Sequence, residues 1–382
     1  MMNIGLLGFG TVGRGVYEQA KRRSDMSVAR VLVRRDIPEI ADIATRDFDA
    51  IVTDPAIDTV VEVLGGLHPS FEYISAALKA GKNVVTANKA VVSAYYPELT
   101  ALAEKNGVAL RCTAAVGGGI PWLVNLERCR RLDTVEKVTG IMNGTSNYIM
   151  DAMHKAPVSF DEILKKAQEL GYAEADPSAD IDGDDIRRKL TISANIAFDG
   201  LLSEENVPQF GIRTVTDGDI AAFQAAGYVC KLIATAQRTE HGVAAWLEPT
   251  LLGAAALESA VPANYNLISF DSEYLGRQSY YGQGAGRFPT ASNVTQDCLD
   301  ILSGVKHFYA GHGQALALDN EAVRHPYYVR TTAPDAWLES HTKGTLGQGV
   351  LTDEISVAEM HAWVQEQLGR DKGCFIAAVT AL

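Results

Sequence analysis

The chain predicts an α/β protein, and two observations carry that prediction. Across residues 1–131 strand-like and helix-like segments alternate, the order that builds a parallel sheet with helices on both faces. Inside the first strand–helix step lies Gly8-Phe9-Gly10-Thr11-Val12-Gly13, a G-x-G-x-x-G turn. In such a turn the first glycine makes the tight bend and the second lets backbone approach a pyrophosphate. The third lets helix and strand pack closely.

The elements follow in order. Asn3 to Leu7 reads as a buried strand and Thr11 to Arg22 as a helix whose free N–H groups face a phosphate. Val28 to Val33 and Thr59 to Leu64 are further strands. Pro69 to Ala80 is a helix opened by proline and closed by Gly81. Asn83 to Thr86 is a strand, Pro97 to Asn106 a helix, and Val108 to Cys112 a strand. Beyond Arg131 the pattern changes: helical stretches cluster between Thr145 and Phe198. Strands follow at Val229–Thr235, Val243–Leu251 and Asn266–Tyr274. Ala291 to Leu302 is again helical, and from Tyr327 the chain reads strand, helix, strand, helix, strand.

This order predicts a dinucleotide-binding domain over 1–131, with 286–305 returning to it. An α+β domain over 132–322 and a short unit over 323–382 complete the chain.

Composition narrows the function. A formal net charge of −13 argues against nucleic acid and anionic membranes as partners. No apolar run approaches the roughly 20 residues of a spanning helix. The five cysteines are scattered without C-x-x-C spacing, which fits reduced thiols in the cytoplasm.

Three groups of residues carry chemistry. The first is the glycine loop with the end of the second strand, where Arg34 and Arg35 precede Asp36. Arginine pairs with a 2′-phosphate, so NADP(H) is favoured over NAD(H), which stays possible. The second lies at the carboxyl edge of the sheet, where Lys89 in Thr86-Ala87-Asn88-Lys89 is placed to polarise a carbonyl or hold a carboxylate. The third is GYAEADPSADIDGDDIRRK, residues 171–189, which gathers Glu174, Asp176, Asp180, Asp182, Asp184 and Asp185 before Lys189. A helix starting near Asp184 would set Asp185 and Lys189 on one face. Carboxylates that hold an ammonium beside a lysine that moves a proton point to an amino-acid substrate. Val116–Pro121 is a backbone-rich turn whose carbonyls either bind a cation or simply turn the chain, and the Gly282–Gly286 loop suits close backbone approach.

Taken together, GFGTVGRGV, TANK, VGGGIP, NGTSNYIM, GYAEADPSADIDGDD with RRK, KLIATA and GQGAG followed by PTAS resemble homoserine dehydrogenases over roughly residues 1–320. The resemblance implies a Rossmann domain and NAD(P)H-dependent reduction of L-aspartate 4-semialdehyde to L-homoserine, in threonine and methionine biosynthesis, by a homodimer. It implies cofactor contacts from Phe9, Thr11, Val12 and Lys89, substrate contacts from Glu174, Asp185 and Gly171, and acid–base work by Lys189. One glycine of the 282–286 loop, Gly284 or Gly286, lines the same place. Asp180 is added as a substrate-side residue. Lys189 is favoured over Lys89 as proton donor.

The chain departs from the family twice. Members bind sodium or potassium through carbonyls matching Val116, Gly118 and Ile120 and an acidic side chain three residues before that valine. Here that position is Thr113, and a neutral hydroxyl is a weaker ligand. Longer members end in an ACT regulatory domain. PYYVRTTAP resembles its first strand, so 323–382 is expected to be a degenerate ACT-like unit for dimer contacts. Two other readings remain: a related dehydrogenase for another small amino acid, and a catalytically silent nucleotide-sensing protein. The silent protein would be expected to lose the lysines and carboxylates.

Overall fold

Six parallel strands open the computed structural model, in the order Ala44–Thr45, Met26–Leu32, Met2–Leu7, Thr59–Glu62, Asn83–Thr86, Leu110–Arg111. This 3-2-1-4-5-6 order is that of a Rossmann sheet. The structure describes residues 1–306 and 314–380; positions 307–313 and 381–382 of the expected domain ranges lie outside it. The central strands are covered on both faces, which is why they read as continuous apolar runs: Ile4, Leu6, Leu7, Val60, Val61, Val84 and Val85 are all fully buried.

The chain folds as two units. The first comprises Met1–Asp133, Asn195–Leu201 and Gly282–Gln314. Its helix Arg287–Leu302 packs on helix Thr11–Ala20, and Gly15 makes the approach possible. A Cβ there would lie 2.7 Å from both the Ala291 Cβ and the Arg287 carbonyl oxygen. Ala291, Val294 and Cys298 of this late helix join Ile4, Leu6 and Val16 in one apolar core. Two helices begin before their expected starts, one of them at Arg287, four residues ahead of Ala291. The helix expected at Pro97 begins at Lys89 and runs to Lys105, with Asn88 as its cap and Pro97 inside it. Proline marked a first turn in the sequence. Burial of Val91, Val92, Tyr96, Leu99 and Ala103 outweighs the one backbone bond that Pro97 forgoes.

The second unit comprises Thr134–Ala194, Leu202–Tyr281 and Ala315–Leu382. Its strands belong to a mixed sheet that the sequence pattern reveals incompletely, since Val135–Ile141 and Gly276–Gln283 were not expected as strands. The order is Gly276–Gln283, Tyr265–Ser272, Val135–Ile141, Val229–Arg238, Val243–Leu252, Phe375–Val379, Arg324–Arg330, Gly349–Ser356, Thr342–Leu346.

The C-terminal segment corrects its expectation in two ways. It contains one strand more than was expected, because Thr342–Leu346 and Gly349–Ser356 form a hairpin about Gly347, whose φ is +56°. The result is βαββαβ with its strands in the order fourth, first, third, second, a split-βαβ arrangement. Nor does it stand apart. Phe375–Val379 pairs in parallel with Val243–Leu252 through Thr250↔Ala378 and Leu251↔Val379, so both sets of strands share one sheet and one unit. The physical reason is that Val243–Leu252 is buried along its whole length and would otherwise leave a bare apolar edge.

Candidate active site residues

On the first unit, the glycine loop has the geometry its spacing predicts. Gly8 takes φ +102°, and its N–H donates to the Leu32 carbonyl at 3.1 Å. A Cβ on Gly13 would lie 2.2 Å from the Gly8 carbonyl oxygen, so only glycine closes this turn. Around Gly10 nothing lies within 4 Å of a built Cβ. Gly10 caps helix Thr11–Ala20 without a side chain, and the first turn holds no acid, which leaves its N–H groups available to a phosphate. Phe9 is buried, edge-on to Tyr17 and under the Arg14 guanidinium. Beyond the second strand, Arg34 and Arg35 are exposed, whereas Asp36 is engaged by Arg46 at 2.8 Å.

Beside this loop the carboxyl ends of two neighbouring strands are tied together by Glu62, a buried carboxylate that sequence reasoning missed. Thr86 Oγ1 donates to it at 2.6 Å, Leu64 N at 2.8 Å, Ser70 Oγ at 3.1 Å and Asn88 Nδ2 at 3.4 Å. Asn88 also donates to the Gly66 carbonyl at 2.7 Å. These bonds set the start of the helix whose first residue is Lys89, a half-buried side chain.

The Val116–Pro121 turn has Gly117 at φ +84° and Gly118 at φ +55°. A Cβ on Gly118 would lie 2.4 Å from the Gly284 carbonyl oxygen, so the two glycine-rich segments touch through backbone. Gly119 N donates to the Gln283 carbonyl at 3.1 Å. Gly286, at φ +120°, caps helix Arg287–Leu302. The carbonyls of Gly118 and Ile120, expected to coordinate a cation, both accept from Asn293 Nδ2, at 2.6 and 3.0 Å. Thr113 Oγ1 donates to Asp297 Oδ1 at 2.6 Å. That donor set does not fit a bound cation.

On the second unit, helix Asp184–Phe198 starts where the acidic run predicted, with Asp184 and Asp185 in the first turn, where carboxylates favour the helix dipole. Gly183, at φ +103°, leads into it, and a Cβ there would meet Leu247 Cδ2 at 2.5 Å. One turn apart, Lys189 Nζ donates to Asp185 Oδ2 at 2.6 Å, and it also donates to the Met142 carbonyl at 2.8 Å. Both side chains are buried, Asp185 at 6% and Lys189 at 8% exposure, a depth at which an ion pair needs good geometry. Asn143 completes the cluster. Its Nδ2 donates to Asp180 Oδ1 at 2.6 Å and to Asp185 Oδ2 at 2.9 Å, while its Oδ1 accepts from Ser146 N as a helix cap. Burial, above all, raises the Asp180 carboxyl from its ordinary range, with the Asn143 hydrogen bond opposing it.

The remaining acids separate by partner. Asp176 accepts from Ser178 N, Asp182 is bound by Arg213, and Asp184 accepts from Gln209 and Arg187. Glu174 is exposed, and among the described residues its carboxylate has no hydrogen-bond partner; it does not join the Asp185–Lys189 pair. Gly171 ends helix Phe160–Glu169 at φ +74°, a sufficient structural reason for glycine there. The NGTSNYIM segment entered the sequence reading through the family resemblance. Its bridging residue, Asn143, became evident only once two distant segments met.

With a dinucleotide loop on a 3-2-1-4-5-6 sheet and a buried Asp–Asn–Lys cluster in place, comparison with known proteins supplies the family. The family profile "Homoserine dehydrogenase, NAD binding domain" matches residues 8–113, and "Homoserine dehydrogenase" matches residues 121–299. A homoserine dehydrogenase of Bacillus subtilis is 37% identical over 319 residues, covering 80% of this chain and 74% of that protein. The chain belongs to the homoserine dehydrogenase family. It is therefore an NAD(P)-binding oxidoreductase with homoserine dehydrogenase activity. The crystal structure of a homoserine dehydrogenase from Thiobacillus denitrificans has a TM-score of 0.88 at 32% identity, covering 99% of this chain and 98% of that one. A hyperthermophilic archaeal homoserine dehydrogenase in complex with NADPH shares the fold, with a TM-score of 0.69 at 24% identity over 79% of this chain and 98% of that one. Among the described residues no helix is long and apolar enough to cross a membrane.

Proposed function

We propose that this enzyme reduces L-aspartate 4-semialdehyde to L-homoserine with Lys189 as proton donor, with Asp185 and Glu174 receiving the substrate ammonium. The observation that carries this reading is the buried Lys189–Asp185 pair at 2.6 Å. Aldehyde reduction needs a hydride at the carbonyl carbon and a proton at the oxygen, and the nicotinamide supplies the hydride from its C4. Lys189 supplies the proton through its ammonium, whose position is fixed by Asp185 and by the Met142 carbonyl. Lys89, at the head of its helix, polarises the carbonyl or holds the substrate carboxylate. Asp180 and Gly171 complete the substrate side.

The cofactor lies along Gly8–Gly13, with Gly284 and Gly286 beside it. Exposed Arg34 and Arg35, with Asp36 turned to Arg46, support NADP(H) over NAD(H), since arginine pairs with a phosphate and an engaged carboxylate no longer competes for the ribose. The protein works as a homodimer in the cytoplasm. All five cysteines are buried as free thiols, which agrees with a reducing compartment. The segment from 323 is read as ACT-like, on the strength of its βαββαβ strand order.

The test follows nicotinamide absorbance with aspartate semialdehyde as substrate. Wild type turns over with NADPH. Lys189→Ala loses about 10²–10⁴ in kcat while still binding NADPH. Turnover of Lys189→Ala at the wild-type rate would overturn the assignment.

A further inference from the structure

We propose that the side-chain amide of Asn293 takes the place of a monovalent cation in the Val116–Pro121 turn, so that this enzyme needs neither sodium nor potassium there. The amide nitrogen is 2.6 Å from the Gly118 carbonyl oxygen and 3.0 Å from that of Ile120, one N–H for each. A sodium ion, close to calcium in radius, would sit at about 2.3–2.6 Å from each of the same two oxygens, and the larger potassium ion farther out. The nitrogen therefore fills the space that an ion would need. Asn293 is itself buried, at 7% exposure, on helix Arg287–Leu302, so the side chain is held by its own element and is not a mobile plug.

Charge points the same way. A buried cation has to be offset, and the turn holds no carboxylate of its own. Thr113 is neutral and spends its hydroxyl proton on Asp297. Asp297, the buried carboxylate that accepts from that threonine, has both oxygens engaged. Arg111 Nε donates to Oδ1 at 3.0 Å and Thr113 N to Oδ2 at 2.8 Å, while the same guanidinium also pairs with the partly exposed Asp300 at 2.5 Å. Protein donors thus occupy both oxygens of Asp297, and neither is left over for an ion. An added ion would be set against the Asn293 N–H groups, whose partial charge has the same sign. The amide does the ion's structural work: it clamps two carbonyls that glycine backbone at φ +84° and +55° turns toward each other.

The experiment uses the full chain with saturating NADPH. Unfolding midpoint and turnover are compared in sodium, potassium and choline chloride at matched ionic strength. Wild type is expected to give the same midpoint and the same rate in all three. Asn293→Asp replaces the amide with a carboxylate and is expected to gain an upward midpoint shift with sodium or potassium that choline does not give. A saturable rise of the wild-type midpoint or rate with either cation would overturn the proposal, and this measurement needs no variant to fold. A folded Asn293→Asp protein indifferent to cation identity would also overturn it, by showing that the amide is not what stands in the ion's place.

Discussion

Asn143 Nδ2 and Asp185 Oδ2 lie 2.9 Å apart, on the same oxygen that accepts from Lys189. The asparagine thus governs the carboxylate that positions the lysine, and it does so from the cap of helix Gly144–Lys155. It also separates Asp185 from Asp180, two acids that would repel across the gap.

Replacing Asn143 with alanine removes the cap and both bridging bonds. The expected cost is about 0.5–2 kcal/mol from the cap alone. The acid limb of the kcat profile should also move, because Asp180 and Asp185 then face each other directly. Thermal unfolding reads the first effect and a pH–rate profile the second. An unshifted profile in a destabilised protein would reduce Asn143 to a cap.

Arg34 and Arg35 give a prediction about cofactor choice. With both changed to alanine, KM for NADPH should rise about tenfold or more, as one lost charge-assisted bond of roughly 1.5–3 kcal/mol requires. KM for NADH should hardly change. Steady-state kinetics with each cofactor checks it; equal losses for both would speak against a 2′-phosphate contact.

Gly13→Ala tests the turn itself. Its methyl group would lie 2.2 Å from the Gly8 carbonyl oxygen, too close for either backbone to stay in place. Overpacking of this kind costs about 1–3 kcal/mol, and NADPH affinity should fall with it. Differential scanning calorimetry and fluorescence titration with NADPH measure the two effects. Gly10→Ala, with nothing within 4 Å of its Cβ, should leave stability near wild type while still obstructing the pyrophosphate.

His154 gives a pH prediction. Burial, and next the nearby Lys231 charge, pushes its imidazole from 6.5 down to about 4, and its Nε2 accepts from Cys230 N at 2.9 Å. The folded state therefore wants the neutral ring, whereas the unfolded chain takes up a proton first as pH falls. The stabilisation is complete above about pH 6.5 and is lost progressively toward pH 4. His154→Gln should flatten the stability curve across that window. Urea unfolding of both proteins over the same pH range measures the difference.

Local chemistry explains why so much was legible in the chain. The glycine loop, the strand Asn83–Thr86 and the helix beginning at Asp184 each depend on neighbours in sequence: turn sterics, a buried apolar run, a favourable first turn. Where a signal was ambiguous, as with Pro97, packing decided, and the helix ran from Lys89.

The sequence by itself determined the Rossmann alternation, the family, and the pairing of Asp185 with Lys189, because an i, i+4 spacing on a helix leaves little freedom. Only the tertiary structure decided which polar groups from distant segments complete each half of the chemistry. Asn143 reaches Asp185 across 42 positions, and Asn293 reaches Gly118 across 175. Contacts at such separations leave no periodicity in the chain, since they arise when buried polar groups must find partners wherever the fold brings them together.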